Sequence, residues 1–304
     1  VTELRFADGV LYFPVTAFDA AGRVDPDATA AHIADRLDAN PGGVFAACGT
    51  GEFHALSAAE HDVVVRAAVE ATAGRVPVVA GAGGPLGHAI ECVRAAERAG
   101  ADGVLLLPPY LVNGPQAGIV AYVEAVLAAT ALPVVLYHRG AGALTVDSVE
   151  RLLAHPGVAG IKDGVGDIAL AQLFARAAAR RDRETLMFNG LLTAELSQAA
   201  YRAIGIPLYS SAVFAMAPEI ANAFYRALQH DDQETQHRLL DDFYRPLVAL
   251  RDETPGFAVS LIKAGLRLAG APVGGVRAPL VDPSAVQTER LARILDDGWR
   301  VVGT

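Results

Sequence analysis

The strongest constraint on this chain is a rhythm. Eight short apolar runs recur along it: GVLYFPVT (9–16), GGVFAAC (42–48), VPVVAGAG (76–83), ADGVLLLP (101–108), LPVVLYH (132–138), GVAGIKD (157–163), TLMFNG (185–190) and IPLYSSA (206–212). Their hydrophobicity is nearly continuous rather than alternating, which marks strands buried on both faces and therefore parallel. Between them lie Ala-rich amphipathic stretches, such as 25–40, 57–73 and 85–100. Ser57 with Glu60 fits a capping box, Asp25-Pro26 fits an N-cap with Pro at the first helical position, and Gly74 and Gly100 suit helix ends. Eight strand–helix units in unbroken succession predict an α/β fold, the (β/α)8 TIM barrel, which typically takes about 250 residues. A doubly wound open sheet fits this rhythm less well. The barrel is expected over residues 1–215. Residues 216–304 read as helices at 217–229, 232–251, 256–269 and 284–299, with no linker before them. They are expected to form a C-terminal helical extension of the same domain.

Composition narrows the function. With 52% hydrophobic and 19% charged residues, the chain is too apolar for disorder. Two cysteines, Cys48 and Cys92, make no disulfide scaffold and suit a reducing compartment. A net charge of −9 argues against a nucleic-acid partner. No apolar run reaches the roughly 20 residues needed to cross a bilayer and no signal-peptide pattern opens the sequence, so a cytoplasmic protein without a membrane partner is expected. Of the 25 basic residues only Lys162 and Lys263 are lysines. Codon bias explains the arginine excess. It leaves two amines that could lose a proton and form an imine, which a guanidinium cannot do.

In a barrel, chemistry belongs at the C-terminal ends of the strands. The second run ends in Gly49-Thr50-Gly51, where backbone N–H groups can converge on an anion; a tight turn is the alternative. The third ends in Gly81-Ala82-Gly83-Gly84, whose spacing fails the dinucleotide fingerprint and suits a close-approach turn. The fourth ends in Pro108-Pro109-Tyr110, read as a rigid loop. The fifth ends in Tyr137-His138-Arg139: a phenol that can relay protons, a His read as a buried polar contact, and an Arg that can clamp a carboxylate. The sixth ends in Lys162-Asp163. Burial at that strand end lowers an amine's pKa and frees it to attack a ketone, and strand alternation turns Asp163 to the opposite face. Lys263 lies in a helical pattern and reads as a snorkelling or solvated residue. The seventh and eighth runs offer Gly190, Thr193, Ser210 and Ser211, which suit hydroxyls or a carboxylate, or local backbone capping. No metal-ligand spacing and no nucleophile-elbow motif occurs, and no metal or organic cofactor is expected.

Taken together, G-T-G-E at 49–52, Tyr137 and I-K-D at 161–163 resemble the lysine-dependent class I aldolase and dehydratase barrels, which include dihydrodipicolinate synthase and N-acetylneuraminate lyase. The resemblance runs in order from about residue 8 to 282. The strings FPVTAFD (13–19), GTGEF (49–53), IKDGVGD (161–167), YSSAVF (209–214) and PGFAVSLIKAG (255–265) are most similar to 5-dehydro-4-deoxyglucarate dehydratases.

The resemblance implies that Lys162 forms an imine with a 2-oxo acid, that Tyr137 relays protons, and that Gly49, Thr50 and Gly51 hold the adjacent carboxylate. Gly190, Thr193, Ser210 and Ser211 would line the rest of the pocket, with Arg139 clamping the distal carboxylate. It also implies a homo-oligomer, a dimer or tetramer. Gly49 and Leu111 replace the Thr and Tyr usual in the synthases, which lowers the expectation of that activity. His138, Gly140, Ala141, Leu192 and Ala215 depart from the glucarate-type pattern and leave the exact sugar acid open. The expected reaction is dehydration with decarboxylation of 5-dehydro-4-deoxyglucarate to 2,5-dioxopentanoate. The alternatives are a retro-aldol lyase on a related 2-oxo sugar acid and a non-catalytic sugar-acid-binding protein.

Overall fold

A computed structural model describes residues 3–303. All eight runs form strands: β1 (Leu11–Tyr12), β2 (Gly43–Ala46), β3 (Val78–Ala82), β4 (Gly103–Leu106), β5 (Val134–His138), β6 (Val158–Asp163), β7 (Leu186–Asn189) and β8 (Leu208–Ser211). They pair in chain order and close through β8 onto β1, all parallel. Seven helices alternate with them: α1 (Pro26–Leu37), α2 (Ala58–Thr72), α3 (Leu86–Ala99), α4 (Gln116–Leu127), α5 (Val146–Leu153), α6 (Ile168–Ala179) and α7 (Gln198–Ala203). Three of the expected caps form, while α2 ends one residue early, at a left-handed Ala73 followed by Gly74. Asp25 accepts from the Ala28 N–H, Ser57 and Glu60 make a reciprocal capping box, and α3 ends at a left-handed Gly100.

After β8 come α8 (Val213–Met216), α9 (Pro218–Gln229), α10 (Gln233–Leu239), α11 (Arg245–Arg251), α12 (Phe257–Leu268) and α13 (Ala285–Val302). The sequence predicts one helix over 232–251. Instead a π-turn at Leu240–Tyr244 separates α10 from α11, just ahead of Pro246, which has no N–H to continue the ordinary ladder. These helices share one apolar cluster with the outward residues Tyr12 and Val44. The inward residues fill the barrel, where Phe13 stacks on Phe45 at 4.5 Å and Phe188 meets Phe45 edge-on. No helix among the described residues is long and apolar enough to cross a membrane.

Two local details set the site. Between β5 and β6 the register slips past Ala159, so that Tyr137 lies opposite Lys162 and His138 opposite Asp163. On the other side Lys162 pairs with Phe188. Register partners in a parallel sheet face the same way, so Tyr137, Lys162 and Phe188 all point into the barrel. The close approach at β3 requires glycine, because a Cβ on Gly81 would fall 2.3 Å from the Ala47 carbonyl oxygen.

Candidate active site

A cavity of about 490 Å3 opens at the C-terminal ends of the strands. Lys162 forms its floor. The side chain is buried, with Nζ 4.0 Å from the Phe13 ring centre, 4.6 Å from that of Tyr137 and 6.0 Å from that of Phe188. No carboxylate pairs with it among the described residues. Desolvation brings its pKa down to about 7, with the Arg139 charge adding to the fall and Cys48 opposing it. Asp163 points the other way, as strand alternation requires. It accepts from the Tyr201 hydroxyl and from the Val165 N–H, behind the barrel wall.

Tyr137 is the next group. Its hydroxyl donates to the Gly190 carbonyl at 2.8 Å and accepts from Arg139 Nη1 at 3.0 Å. Burial raises the phenol's pKa despite the neighbouring guanidinium, so it is a neutral proton donor at neutral pH. Gly190 presses on the lysine from the side: a Cβ there would lie 2.3 Å from Lys162 Cε.

The β2 turn lies in the same cavity. Left-handed Ala47 and Glu52 bracket it, a backbone strain that a fixed loop can hold. Gly49 and Thr50 line the cavity, and Thr16 Oγ1 donates to the Gly51 carbonyl at 2.7 Å. Neither the Thr50 nor the Gly51 N–H has a protein acceptor among the described residues.

Of the residues named from sequence, the cavity brings together Lys162, Tyr137, Gly49, Thr50, Arg139, Gly190, Thr193 and Ser210. Gly51 and Ser211 stand outside its lining. Gly51 is turned into the loop, while Ser211, one residue beyond inward-facing Ser210, donates to buried Glu195. The five departures also divide. Gly140, Ala141 and Leu192 line the cavity. His138 faces the helix layer, accepting from the Leu144 N–H and packing on Phe174, and Ala215 is buried in α8, its carbonyl accepting from Arg36.

Lys263 requires a correction. It is neither solvated nor snorkelling but fully buried, 2.7 Å from Glu52 Oε1, and it donates to the Gly275 carbonyl. Its partner comes from a distant part of the chain, which helix periodicity does not reveal. Sequence reasoning also missed Phe13, His54, Glu195 and Arg251, and the wall formed by Leu247, Phe257 and Ile262. Phe13, Phe257 and Ile262 were visible only as members of the FPVTAFD and PGFAVSLIKAG strings, and His54 and Glu195 only as residues just beyond GTGEF and Thr193. Nothing in the sequence marks Leu247 or Arg251 as neighbours of a strand end.

The dihydrodipicolinate synthetase family model matches residues 6–297. The chain belongs to the dihydrodipicolinate synthetase family. Within it, the chain is 50% identical over 302 residues to a Streptomyces coelicolor protein named "Probable 5-dehydro-4-deoxyglucarate dehydratase 1", covering 99% of this chain and 96% of that one. An Azotobacter vinelandii protein named "Probable 5-dehydro-4-deoxyglucarate dehydratase" is 44% identical, with 95% of each chain covered. Among solved structures, the dihydrodipicolinate synthase of Oceanobacillus iheyensis superposes with a TM-score of 0.87 at 25% identity, over 97% of both chains. Membership in the dihydrodipicolinate synthetase family thus agrees with the eight-stranded barrel fold.

Proposed function

We propose that this protein is a Schiff-base lyase that dehydrates and decarboxylates 5-dehydro-4-deoxyglucarate to 2,5-dioxopentanoate. The observation that carries the chemistry is Lys162: a buried amine at a strand end, on three aromatic rings, with no carboxylate among the described residues to hold its proton. The substrate class is supported by relatives of about 50% identity whose printed names carry this activity.

Neutral Lys162 attacks the C5 ketone, and water leaves from the carbinolamine to give a protonated imine. Tyr137, neutral and held between Gly190 and Arg139, is the proton-relay group for these transfers. The iminium draws electrons from C4 as its proton is lost, and the C3 hydroxyl departs as water on taking up a proton. The resulting conjugated iminium accepts the electron pair released when C1 leaves as CO2. Protonation and hydrolysis then free the product and regenerate the amine. The Thr50 and Gly51 N–H groups, without acceptors among the described residues, are suited to the carboxylate beside the ketone, with Gly49 opening the turn. Arg139, Gly190, Thr193 and Ser210 line the path of the rest of the ligand, and Ser211 supports that wall through Glu195.

The same reading takes residues 216–304 as an extension of one domain with the barrel. It makes the protein a cytoplasmic homo-oligomer, a dimer or tetramer. Tyr110, Leu111 and Val112 support association, since they leave apolar surface exposed on the β4–α4 loop.

Borohydride added with substrate should trap an adduct on the peptide carrying Lys162, and turnover should release CO2. Full turnover by Lys162→Ala, or label on Lys263, overturns the assignment. Pyruvate in place of CO2 makes the protein an aldolase using the same lysine. Binding of sugar acids without turnover makes it a binding protein.

A further inference from the structure

The cavity contains a second guanidinium that the imine chemistry does not use. Arg251, the last residue of α11, reaches over the barrel mouth and lines the cavity. Its side chain is 14% exposed. Nη1 donates to Thr193 Oγ1 at 2.7 Å, and Nε donates to Asp252 Oδ1 at 2.8 Å. The remaining N–H donors of the fork have no protein acceptor among the described residues. Thr193 is held in a left-handed conformation, φ 53°, unusual for a β-branched residue. It follows Gly190, which touches Lys162.

Topology puts the two arginines on the two flanks of Lys162. Lys162 is on β6, Arg139 follows β5, and the Thr193–Arg251 pair stands over the end of β7. Arg139 is committed in part to the Tyr137 hydroxyl and so belongs with the proton relay. Arg251 makes no hydrogen bond to that relay. The cavity's charge balance points the same way. Arg139 and Arg251 share the lining with one carboxyl, Glu195, which is buried against the Ser211 hydroxyl and pushed up to about 7, while Asp252 takes only the Nε of Arg251. In a chain with net charge −9, that is a local preference for a ligand with more than one negative group.

We propose that Arg251, with Thr193, recognises the distal carboxylate of a dicarboxylic 2-oxo acid, and that it rather than Arg139 makes the site selective for diacids. The proposal rests on the imine reading of Lys162. It assigns the C-terminal helices a part in substrate choice: the barrel supplies the amine and the near-carboxylate turn, and α11 supplies the group that tests the far end.

Two probes of equal chain length separate the contributions. 2-Oxoadipate carries a carboxylate at its far end and 2-oxohexanoate a methyl group. Half-saturation of borohydride trapping is measured for both on the full chain, on Arg251→Met and on Arg139→Met. The wild-type chain should be trapped by 2-oxoadipate at a concentration about tenfold or more below that for 2-oxohexanoate, the value of one charge-assisted hydrogen-bonding contact. In Arg251→Met that ratio should collapse toward one, with Arg251→Lys recovering part of it. A merely structural role would weaken both probes alike and leave the ratio unchanged. A wild-type ratio near one, or a ratio kept by Arg251→Met and lost by Arg139→Met, overturns the assignment to Arg251 while the lysine reading stands. If neither probe nor pyruvate is trapped on Lys162, the lysine reading fails and the inference falls with it.

Discussion

Lys263 Nζ and Glu52 Oε1 lie 2.7 Å apart, and both side chains are fully buried. This bond ties α12 to the residue directly after the Gly49-Thr50-Gly51 turn. The second Glu52 oxygen accepts the Arg277 N–H at 2.8 Å, and Phe18 lies between the two cations, 4.0 Å from Lys263 Nζ and 4.2 Å from the Arg277 guanidinium. Removing one partner of a buried pair leaves the other charge uncompensated. Lys263→Met should therefore cost about 3–5 kcal/mol. It should also raise the half-saturation for a 2-oxo acid, because the turn loses its anchor. Adding Glu52→Gln should recover part of the stability. Urea midpoints of the four proteins close the double-mutant cycle, and strictly additive losses would show that the pair is not coupled.

Lys162 sets the pH dependence of imine formation. Burial brings its pKa down to about 7, so the reactive neutral amine is lost as pH falls below that value. The single-turnover rate of pyruvate trapping should fall about tenfold per pH unit below 7 and level off above it. A rate still climbing tenfold per unit through pH 9 would mean that the amine keeps its ordinary affinity for the proton.

The barrel was legible because parallel strands buried on both faces are nearly continuous in hydrophobicity, and the eight runs here are so up to their polar C-terminal ends. Lys162 was legible because it ends such a strand and is one of only two lysines. Its orientation, and that of Asp163, followed from strand alternation. The same parity separates Ser210 from Ser211, and it turns His138 away from the cavity although His138 sits between Tyr137 and Arg139. What could not be read was contact between distant segments. Helix periodicity marks the segments that become α11 and α12 but does not say which end overhangs the barrel mouth, so Arg251 carried no signal and Phe257 only its place in the PGFAVSLIKAG string. Lys263 looked like an ordinary helix lysine because its carboxylate lies in the β2 turn.

Gly190 should tolerate no side chain. An added Cβ would lie 2.3 Å from Lys162 Cε and 2.5 Å from Cγ, with no room for the amine to keep its direction. Gly190→Ala should fold, with an unchanged far-ultraviolet spectrum, while its trapping rate falls about 100-fold, as expected for a misplaced nucleophile. Unchanged trapping would show that Lys162 can move aside freely.

Tyr137→Phe removes the hydroxyl between Gly190 and Arg139 and keeps the ring over Lys162 Nζ. Turnover should drop by about 100-fold or more, the usual contribution of a positioned acid–base group. Adduct formation should fall much less. Equal loss of both would make Tyr137 an imine-forming or structural residue instead.

The buried amine should also weaken the fold that holds it. In the folded chain Lys162 titrates near 7, against about 10.4 when exposed. Below pH 7 both states carry the proton, and the folded state bears the whole cost of a desolvated ammonium. Between pH 7 and about 10.4 only the unfolded state stays charged, so the cost shrinks as pH rises, and above that range it is gone. Methionine fills similar space with no charge. Lys162→Met should therefore abolish trapping yet stabilise the protein by about 2–4 kcal/mol at pH 6, with much of the gain lost by pH 10. Urea midpoints at the two pH values test this. A variant less stable than the parent at pH 6 would mean that the contacts of the ammonium with Phe13 and Tyr137 outweigh its desolvation.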